Sequence, residues 1–500
     1  MTATTALPAA TFCPPEARRY VLIAAILASA MGFIDGSVVS IAIPAIRANL
    51  GASLGDAQWV SNGYMLFMAS LILIGGAAGD RFGIRRVFGL GIALFVVASL
   101  FCAVAPNPLF LILCRAVQGF GAAFMVPGSL ALIAKAYPRA ERGKAIGIWA
   151  TAASLTTILG PVVGGALLSF FGNWSWRLVF AINLPFGAVA LALLWLKVPA
   201  DQPADGRRLD WFGGILVTAG LLLIALGLTG DSSESSVPDA SHILLFGGVG
   251  VVLLAAFLLW EARTASPMMP LGLFRNRAFS GANALTFALY YSLAAISFYL
   301  PMTLIAGWGV TPAVVSLSML PVGICLTLLS TVSGGLADRY GTAKLIAGGA
   351  TLVAIAFAGL ALTTPLRNLW FCVLPLMTLF GIGMGFVVTP LSTAVMTSVA
   401  DSDTGTASGV NNAVARVAGL LAVAIMGGIA AVVFSHATGG AAQLSFGRSP
   451  ATPLPADVEA VRVGATDAAF ATIAWITAGL SLLSAVIAWF TLEHKGKRHA

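Results

Sequence analysis

The string GGAAGDRFG, residues 75–83, recurs as SGGLADRYG, residues 333–341. Its two aspartates, Asp80 and Asp338, stand 258 residues apart. Upstream of each copy lies a proline in an apolar run, Pro44 in IAIPAI (41–46) and Pro301 in FYLPMTL (298–304), 257 residues apart. Two anchors at nearly one offset point to a duplicated unit.

The surroundings say what the unit is. Of 500 residues, 59% are hydrophobic and 9% carry charge, against about 25% charged in an ordinary soluble domain. So long and apolar a chain could not cover itself with polar surface in water, so it reads as an integral membrane protein with many spans. A helix crosses ~30 Å of hydrocarbon with about 20 apolar residues. Fourteen such stretches are read, from about 20–44 to about 468–491, with the seventh and eighth near 209–229 and 243–260. The repeat offset equals eight of them. The expected architecture is all-α, with two six-helix halves at 20–197 and 278–491. A linker at 198–277 carries two inserted central helices, and tails occupy 1–19 and 492–500. Duplicated six-helix halves point to transporters, with the substrate site near the midplane between them.

Basic residues give the orientation. An even number of spans puts both termini on one side. That side collects twenty Lys and Arg, including Arg18, Arg81, Arg85, Lys135, Arg339 and Lys495, while the other holds Arg47, Arg177, Arg367, Arg448 and Arg462. The asymmetry predicts cytoplasmic termini and a multi-pass protein of the cell inner (plasma) membrane. It also accounts for the net charge of +8 without nucleic acid. Arg18, Arg19 and the small residues Ala28-Ser29-Ala30 imitate a signal peptide, but the apolar run continues to Ile46 and more spans follow, which favours an uncleaved first span. Two outward loops, GDSSESSVPDASH (230–242) and the Gly-, Pro- and Ala-rich stretch from Ser435 to Asp467, read as flexible connectors.

Several classes are excluded. The five cysteines have no metal-ligand spacing, and the four histidines fall in loops or the tail. No nucleotide-binding Gly-x-x-x-x-Gly-Lys loop and no cluster of catalytic side chains appears, so no metal, cofactor or ATP-driven pump is expected.

The first span, MGFIDGSVVSIAIPAI over 31–46, carries Asp35 near its middle. A carboxylate there costs ~2.5–3.5 kcal/mol on insertion scales, so a chain that keeps one uses it. It is the one acid placed firmly inside the hydrocarbon; Asp210, Glu261 and Glu493 sit at span ends, and Arg115 and Arg416 are the bases inside or near spans. At roughly 1.5 Å per residue, Asp35 lies ~22 Å from the inner surface and Arg115 ~9 Å from the outer one, which in a ~30 Å core is one level. Burial would raise the Asp35 pKa and a nearby Arg115 would lower it; that spans 1 and 4 both face one cavity, which makes Asp35 and Arg115 the expected proton-coupling pair, is what the resemblance given below implies. The repeat-equivalent positions, near Ser292 and Leu293, carry no acid. One carboxylate exchanging one proton for a monovalent cation moves no net charge, so the cargo is expected to be monocationic or neutral.

Gly76, Asp80, Arg81, Gly83 and Arg85, with Gly334, Asp338, Arg339 and Gly341 in the second copy, are expected to latch neighbouring helices in one conformation and release them in the other. Gly160 and Gly164 stand one turn apart and Pro161 bends the span between them, which gives a smooth surface for helices that rock. Gln118, Trp59, Tyr64, Phe124, Tyr290, Tyr291 and Phe298 are the candidate cavity lining, since aromatic faces bind cations and flat ligands.

Taken together these motifs resemble the major facilitator superfamily, and more narrowly its fourteen-span drug:proton antiporters of the EmrB/QacA type. The resemblance covers nearly the whole chain. Besides the repeated loop, LCRAVQGFGAA (113–123) is similar through Arg115, Gln118, Gly119 and Gly121. LGPVVGG (159–165) is similar to the antiporter motif through Gly160, Pro161, Gly164 and Gly165. FIDGSVVSIAIPAI and WSWRLVFAINLPFG (174–187) resemble the fourteen-span branch through Asp35, Pro44, Trp176, Arg177, Asn183 and Pro185. Ser40 departs from the family, which often has Asn there. The resemblance implies the major facilitator fold and proton-coupled multidrug efflux by alternating access, driven by the proton gradient without a cofactor. The implied partners are a small-molecule substrate, protons and the lipid bilayer, with a periplasmic adaptor if the host has an outer membrane. The alternatives are a dedicated exporter of one antibiotic, siderophore or metabolite and, more remotely, a membrane-embedded enzyme or sensor.

Overall fold

The computed structural model describes residues 12–203, 209–229, 240–400, 403–440, 444–450 and 452–492. The outer parts of both tails, Arg207 and Arg208 of the linker, and residues 230–239 of the acidic loop lie outside the described residues. Among the described residues, fourteen helices are long and apolar enough to cross a membrane, as the sequence predicts. They are α1 (Pro15–Leu50), α2 (Leu54–Phe82), α3 (Ile84–Ala103), α4 (Pro108–Ala136), α5 (Arg139–Phe171), α6 (Asn173–Lys197) and α7 (Trp211–Leu228). The rest are α8 (Ala240–Glu261), α9 (Arg277–Gly307), α10 (Pro312–Tyr340), α11 (Thr342–Leu366), α12 (Leu369–Thr397), α13 (Thr404–Ala437) and α14 (Ala456–Thr491).

Local chemistry sets the helix ends. Ser53 and Asp56 form a reciprocal capping box that starts α2, with Asp56 N donating to Ser53 Oγ at 3.0 Å and Ser53 N to Asp56 Oδ2 at 2.9 Å. Asn107 accepts from Phe110 N at 2.9 Å and starts α4. Gly83 and Gly341, which close the two copies of the repeated string, both have φ of 93°. That backbone is costly for any residue with a Cβ, and in each copy it turns one helix directly into the next.

Packing repeats with the sequence. In the first half α2 packs on α4, α3 on α4, α1 on α5 and α1 on α6; the second half repeats this as α10 on α12, α11 on α12, α9 on α13 and α9 on α14. The halves meet along two related seams, α2 with α13 and α5 with α10. The inserted pair α7 and α8 packs on itself and against α2 and α13.

The molecule is sealed at the end opposite its termini. Gln58 of α2 donates to the Val423 and Ala424 carbonyls of α13 at 2.6 and 3.2 Å. Ala313 N at the start of α10 donates to Ser169 Oγ of α5 at 2.9 Å. The described part of the stretch from Ser435 to Asp467, read as a flexible connector, is built into this seal. Phe446 is buried against Tyr299 and Phe434, and Arg47 of α1 donates to the Phe446 carbonyl at 2.6 Å and to Ser445 Oγ at 3.0 Å. The last helix already begins at Ala456. A Gly-Pro-Ala composition gave no sign that a buried arginine 399 residues upstream anchors the loop.

Candidate functional site

Five helices of the first half converge on one carboxylate. Asp35 sits on α1 between Gly32 and Gly36, and its side chain is completely buried. Arg115 Nη1 of α4 donates to Asp35 Oδ2 at 2.6 Å and also to Gln118 Oε1 at 2.6 Å, while its Nε donates to the Val60 carbonyl of α2 at 2.9 Å. Gln118 Nε2 donates to Asp35 Oδ1 at 3.1 Å and to Ser99 Oγ of α3 at 2.9 Å. Asn183 Nδ2 of α6 reaches the same Ser99 Oγ at 3.3 Å. The guanidinium carbon of Arg115 lies 4.4 Å from the Tyr64 ring centre and 5.6 Å from that of Phe180. Both carboxylate oxygens are therefore engaged, and the cation is sandwiched by ring faces.

Electrostatics follow from this geometry. A buried ion pair is sustained by saturation of its hydrogen bonds; removing one member alone leaves a bare charge and costs about 3–5 kcal/mol. Protonating Asp35 does something milder, since it keeps the shape and removes the charge that holds Arg115. Among the described residues the Asn183 Oδ1 atom, on the amide that reaches Ser99, has no hydrogen-bond partner.

The glycine motif sits beside the pair. A Cβ on Gly160 would stand 3.0 Å from Ser37 Oγ, and one on Gly164 would collide with Val38, both on α1 within three residues of Asp35. A Cβ on Gly165 would collide with Ser316 of α10, in the other half. Helix α5 is thus wedged between the helix that carries Asp35 and the opposite half.

The repeated loops lie at the end away from the seal. Asp80, Arg81, Asp338 and Arg339 are exposed, and among the described residues Asp80 forms no ion pair. Arg85 does not reach across the halves: its Nε and Nη2 donate to the Leu194 and Trp195 carbonyls of α6 at 3.1 and 2.9 Å. Asp201, which sequence reasoning missed, organises this corner. It accepts from the backbone N–H of Ile84 at 2.8 Å, from that of Arg85 at 3.0 Å and from Lys135 Nζ at 2.9 Å. Burial pushes its carboxyl up, but Lys135 and the two N–H groups outweigh this and hold it below the usual carboxylate range.

The expected aromatic lining separates into groups. Tyr64 lies on Arg115, and Tyr290 is partly exposed. Trp59 instead packs with Leu221, Ala225 and Leu420, against the inserted helix α7, because α7 covers that face of α2. Phe124 packs with Phe120, Leu71 and Ile74. Phe298 and Tyr291 are buried in the second half's core. Gln118 belongs to the Asp35 network. Ser99, Asn183 and Phe180 complete that network, and the signal that could have found Ser99 and Asn183 is the one that found Asp35, a polar side chain inside an apolar run.

The model of the family described as Major Facilitator Superfamily matches residues 25–423. Among curated proteins, the chain is 32% identical over 414 residues to a protein of Mycobacterium tuberculosis named multidrug resistance protein B homolog, covering 82% of this chain and 76% of that one. It is 33% identical to the probable actinorhodin transporter of Streptomyces coelicolor, over 83% of this chain and 73% of that one. It is 32% identical to the methylenomycin A resistance protein of Bacillus subtilis, over 81% of this chain and 86% of that one. Among solved structures, a bacterial homolog of the human lysosomal transporter Spinster, in an inward-facing and occupied conformation, superposes with a TM-score of 0.67 at 17% identity, covering 96% of this chain and 97% of that one. A D-xylose–proton symporter superposes with a TM-score of 0.62 at 16% identity, over 95% and 98% of the two chains.

Proposed function

The chain belongs to the major facilitator superfamily, and from that premise we propose that it exports hydrophobic small molecules of the drug and antibiotic kind in exchange for protons, by alternating access. The names of its relatives supply the cargo class. The observation that carries the coupling is the Asp35–Arg115 contact, the fully buried carboxylate of the first half paired at 2.6 Å. We place the termini on the cytoplasmic side of the cell membrane, on the asymmetry of Lys and Arg between the two ends.

In this scheme the sealed state takes cargo from the cytoplasmic side while Asp35 holds Arg115. When the Gln58 and Ser169 contacts part, Asp35 takes a proton from outside as cargo leaves. The neutral carboxyl releases Arg115 toward Tyr64 and Gln118, and α1 shifts against the smooth face of α5. Because α5 bears on α10, that shift reaches the other half. Return to the sealed state delivers the proton inward. Each pH unit of gradient supplies about 1.4 kcal/mol per proton.

The test uses purified protein in liposomes with an imposed pH gradient and a neutral hydrophobic dye, phenyl-naphthylamine. Dye movement opposite to the proton flux, lost in Asp35→Asn, is the expected result. Equal movement in both proteins would put the proton site elsewhere, and no movement in wild type would defeat the export reading for this cargo class.

A further inference from the structure

The second half carries a charge that the Asp35 network does not use. Arg416 lies about 18 Å along α13 from Thr404, at roughly 1.5 Å per residue. It is partly exposed, and among the described residues it forms no hydrogen bond or ion pair. Its helix packs against both α2 and α9, and Tyr64 of α2 is the ring that covers Arg115, so this stretch of α13 stands across from the ion pair in the opposite half. One turn further, Gly419 lies against Met65 of α2 and Ala294 of α9. One turn back, Asn412 is exposed, and Asn411 donates to Asn283 Oδ1 and Thr286 Oγ1 of α9 at 3.2 and 2.7 Å. Arg416 and Asn412 thus share one polar face of α13 beside the α2 seam, while Asn411, about 140° further round the helix, is held by α9.

No described acid of the second half stands at that depth. Asp467, the one set furthest into a helix, lies toward the sealed end and is held by Arg367 at 2.8 Å and Trp308 at 2.7 Å. In the first half, Asp35 is already matched by Arg115. The seam therefore carries one cation in excess. An unpartnered charge kept within a membrane is a binding site by default, and a guanidinium takes carboxylate or sulfonate oxygens two at a time.

We propose that Arg416 anchors the cargo, and that the cargo is an amphiphilic monoanion, an aromatic carboxylate or sulfonate. Its charge sits on Arg416, and its apolar body lies against Tyr64, Tyr290 and Met65. This deepens the export reading and depends on it. A monocation, the cargo expected from Asp35 alone, would have to displace Arg115 or Gln118 from that carboxylate and face the repulsion of Arg416.

Two dyes with one skeleton isolate the charge: anilinonaphthalene sulfonate and its neutral counterpart phenyl-naphthylamine. Binding of each to the purified full chain is measured by fluorescence titration, for wild type, Arg416→Gln and Arg416→Lys. Wild type is expected to bind the sulfonate more tightly than the neutral dye. Arg416→Gln should weaken sulfonate binding about tenfold or more and leave the neutral dye within about twofold, and Arg416→Lys should restore most of the loss. Neutral-dye binding also reports that each variant is folded. Equal wild-type affinity for the two dyes, or equal weakening of both by Arg416→Gln, would overturn the anion site. Neither result touches the export reading, which stands if either dye is moved by the proton gradient in liposomes and falls if neither is.

Discussion

Asp35 and Arg115 meet at 2.6 Å across α1 and α4, with 0% and 2% of their side chains exposed, so neither charge is reached by water in the sealed state. Asp35→Asn leaves Arg115 without its counter-charge but with the Gln118 and Val60 oxygens and two ring faces, so it is expected to fold with a smaller loss of stability, and to lose uphill transport while downhill exchange of cargo persists. Arg115→Gln leaves a bare carboxylate, which costs about 3–5 kcal/mol and lowers the melting temperature sharply. Thermal unfolding and transport, measured on both variants, separate the two roles. An Arg115→Gln protein as stable as wild type would show that the pair is not what holds these helices together.

Gly164 permits α5 to touch Val38 of α1. Gly164→Val is expected to overpack this seam at a cost of about 1–3 kcal/mol and to stop transport. Gly143→Ala on the same helix, where an added methyl meets nothing within 4 Å, should transport normally. Comparable transport in the two variants would remove α5 from the moving parts.

Gln58 holds α2 to α13 at the sealed end. Gln58→Ala removes two cross-seam bonds of about 0.5–1.5 kcal/mol each and should shift the population toward opening at that end. Spin labels at Phe170 and Phe371, exposed residues at that end of opposite halves, should show longer distances in the variant. An unchanged distance distribution would place the seal elsewhere.

Asp201 caps α3 and binds Lys135, and its carboxyl titrates below the usual range. A lowered folded-state pKa gives stability that is present above the unfolded value, about 3.9, and is lost as pH falls through the folded one. Asp201→Asn should therefore cost about 1–2 kcal/mol near pH 7, and the gap to wild type should close below about pH 4. A gap that stays constant down to pH 3 would assign the effect to packing.

The fold was legible because its signals are periodic and collective. Span lengths, the loop repeated at 333–341 and the apolar runs each restate the same answer many times. Asp35 and Arg115 were legible because a charge inside hydrocarbon is conspicuous in any single sequence, and depth counting put them at one level. Asp201 was not, because a carboxylate in a polar loop looks ordinary until its partners, Ile84, Arg85 and Lys135, fold around it. The anchoring of Phe446 by Arg47 was hidden for the same reason, since both ends look like loop chemistry. Trp59 is a cavity candidate only as an aromatic side chain, and only the position of α7 shows that its face of α2 is covered.

The whole Asp35 network is built from helices of the first half, whereas Arg416 and its polar face belong to the second. Duplication supplied two copies of one scaffold, and afterwards they took separate trades. On this reading the first half carries the proton and the second the cargo's charge, with Tyr64 and Met65 of the first half shared between the two tasks. Substitutions along α9 and α13 can change what is carried without touching what drives it. A chain arranged this way can acquire a new cargo by a few changes in one half and keep its power supply intact.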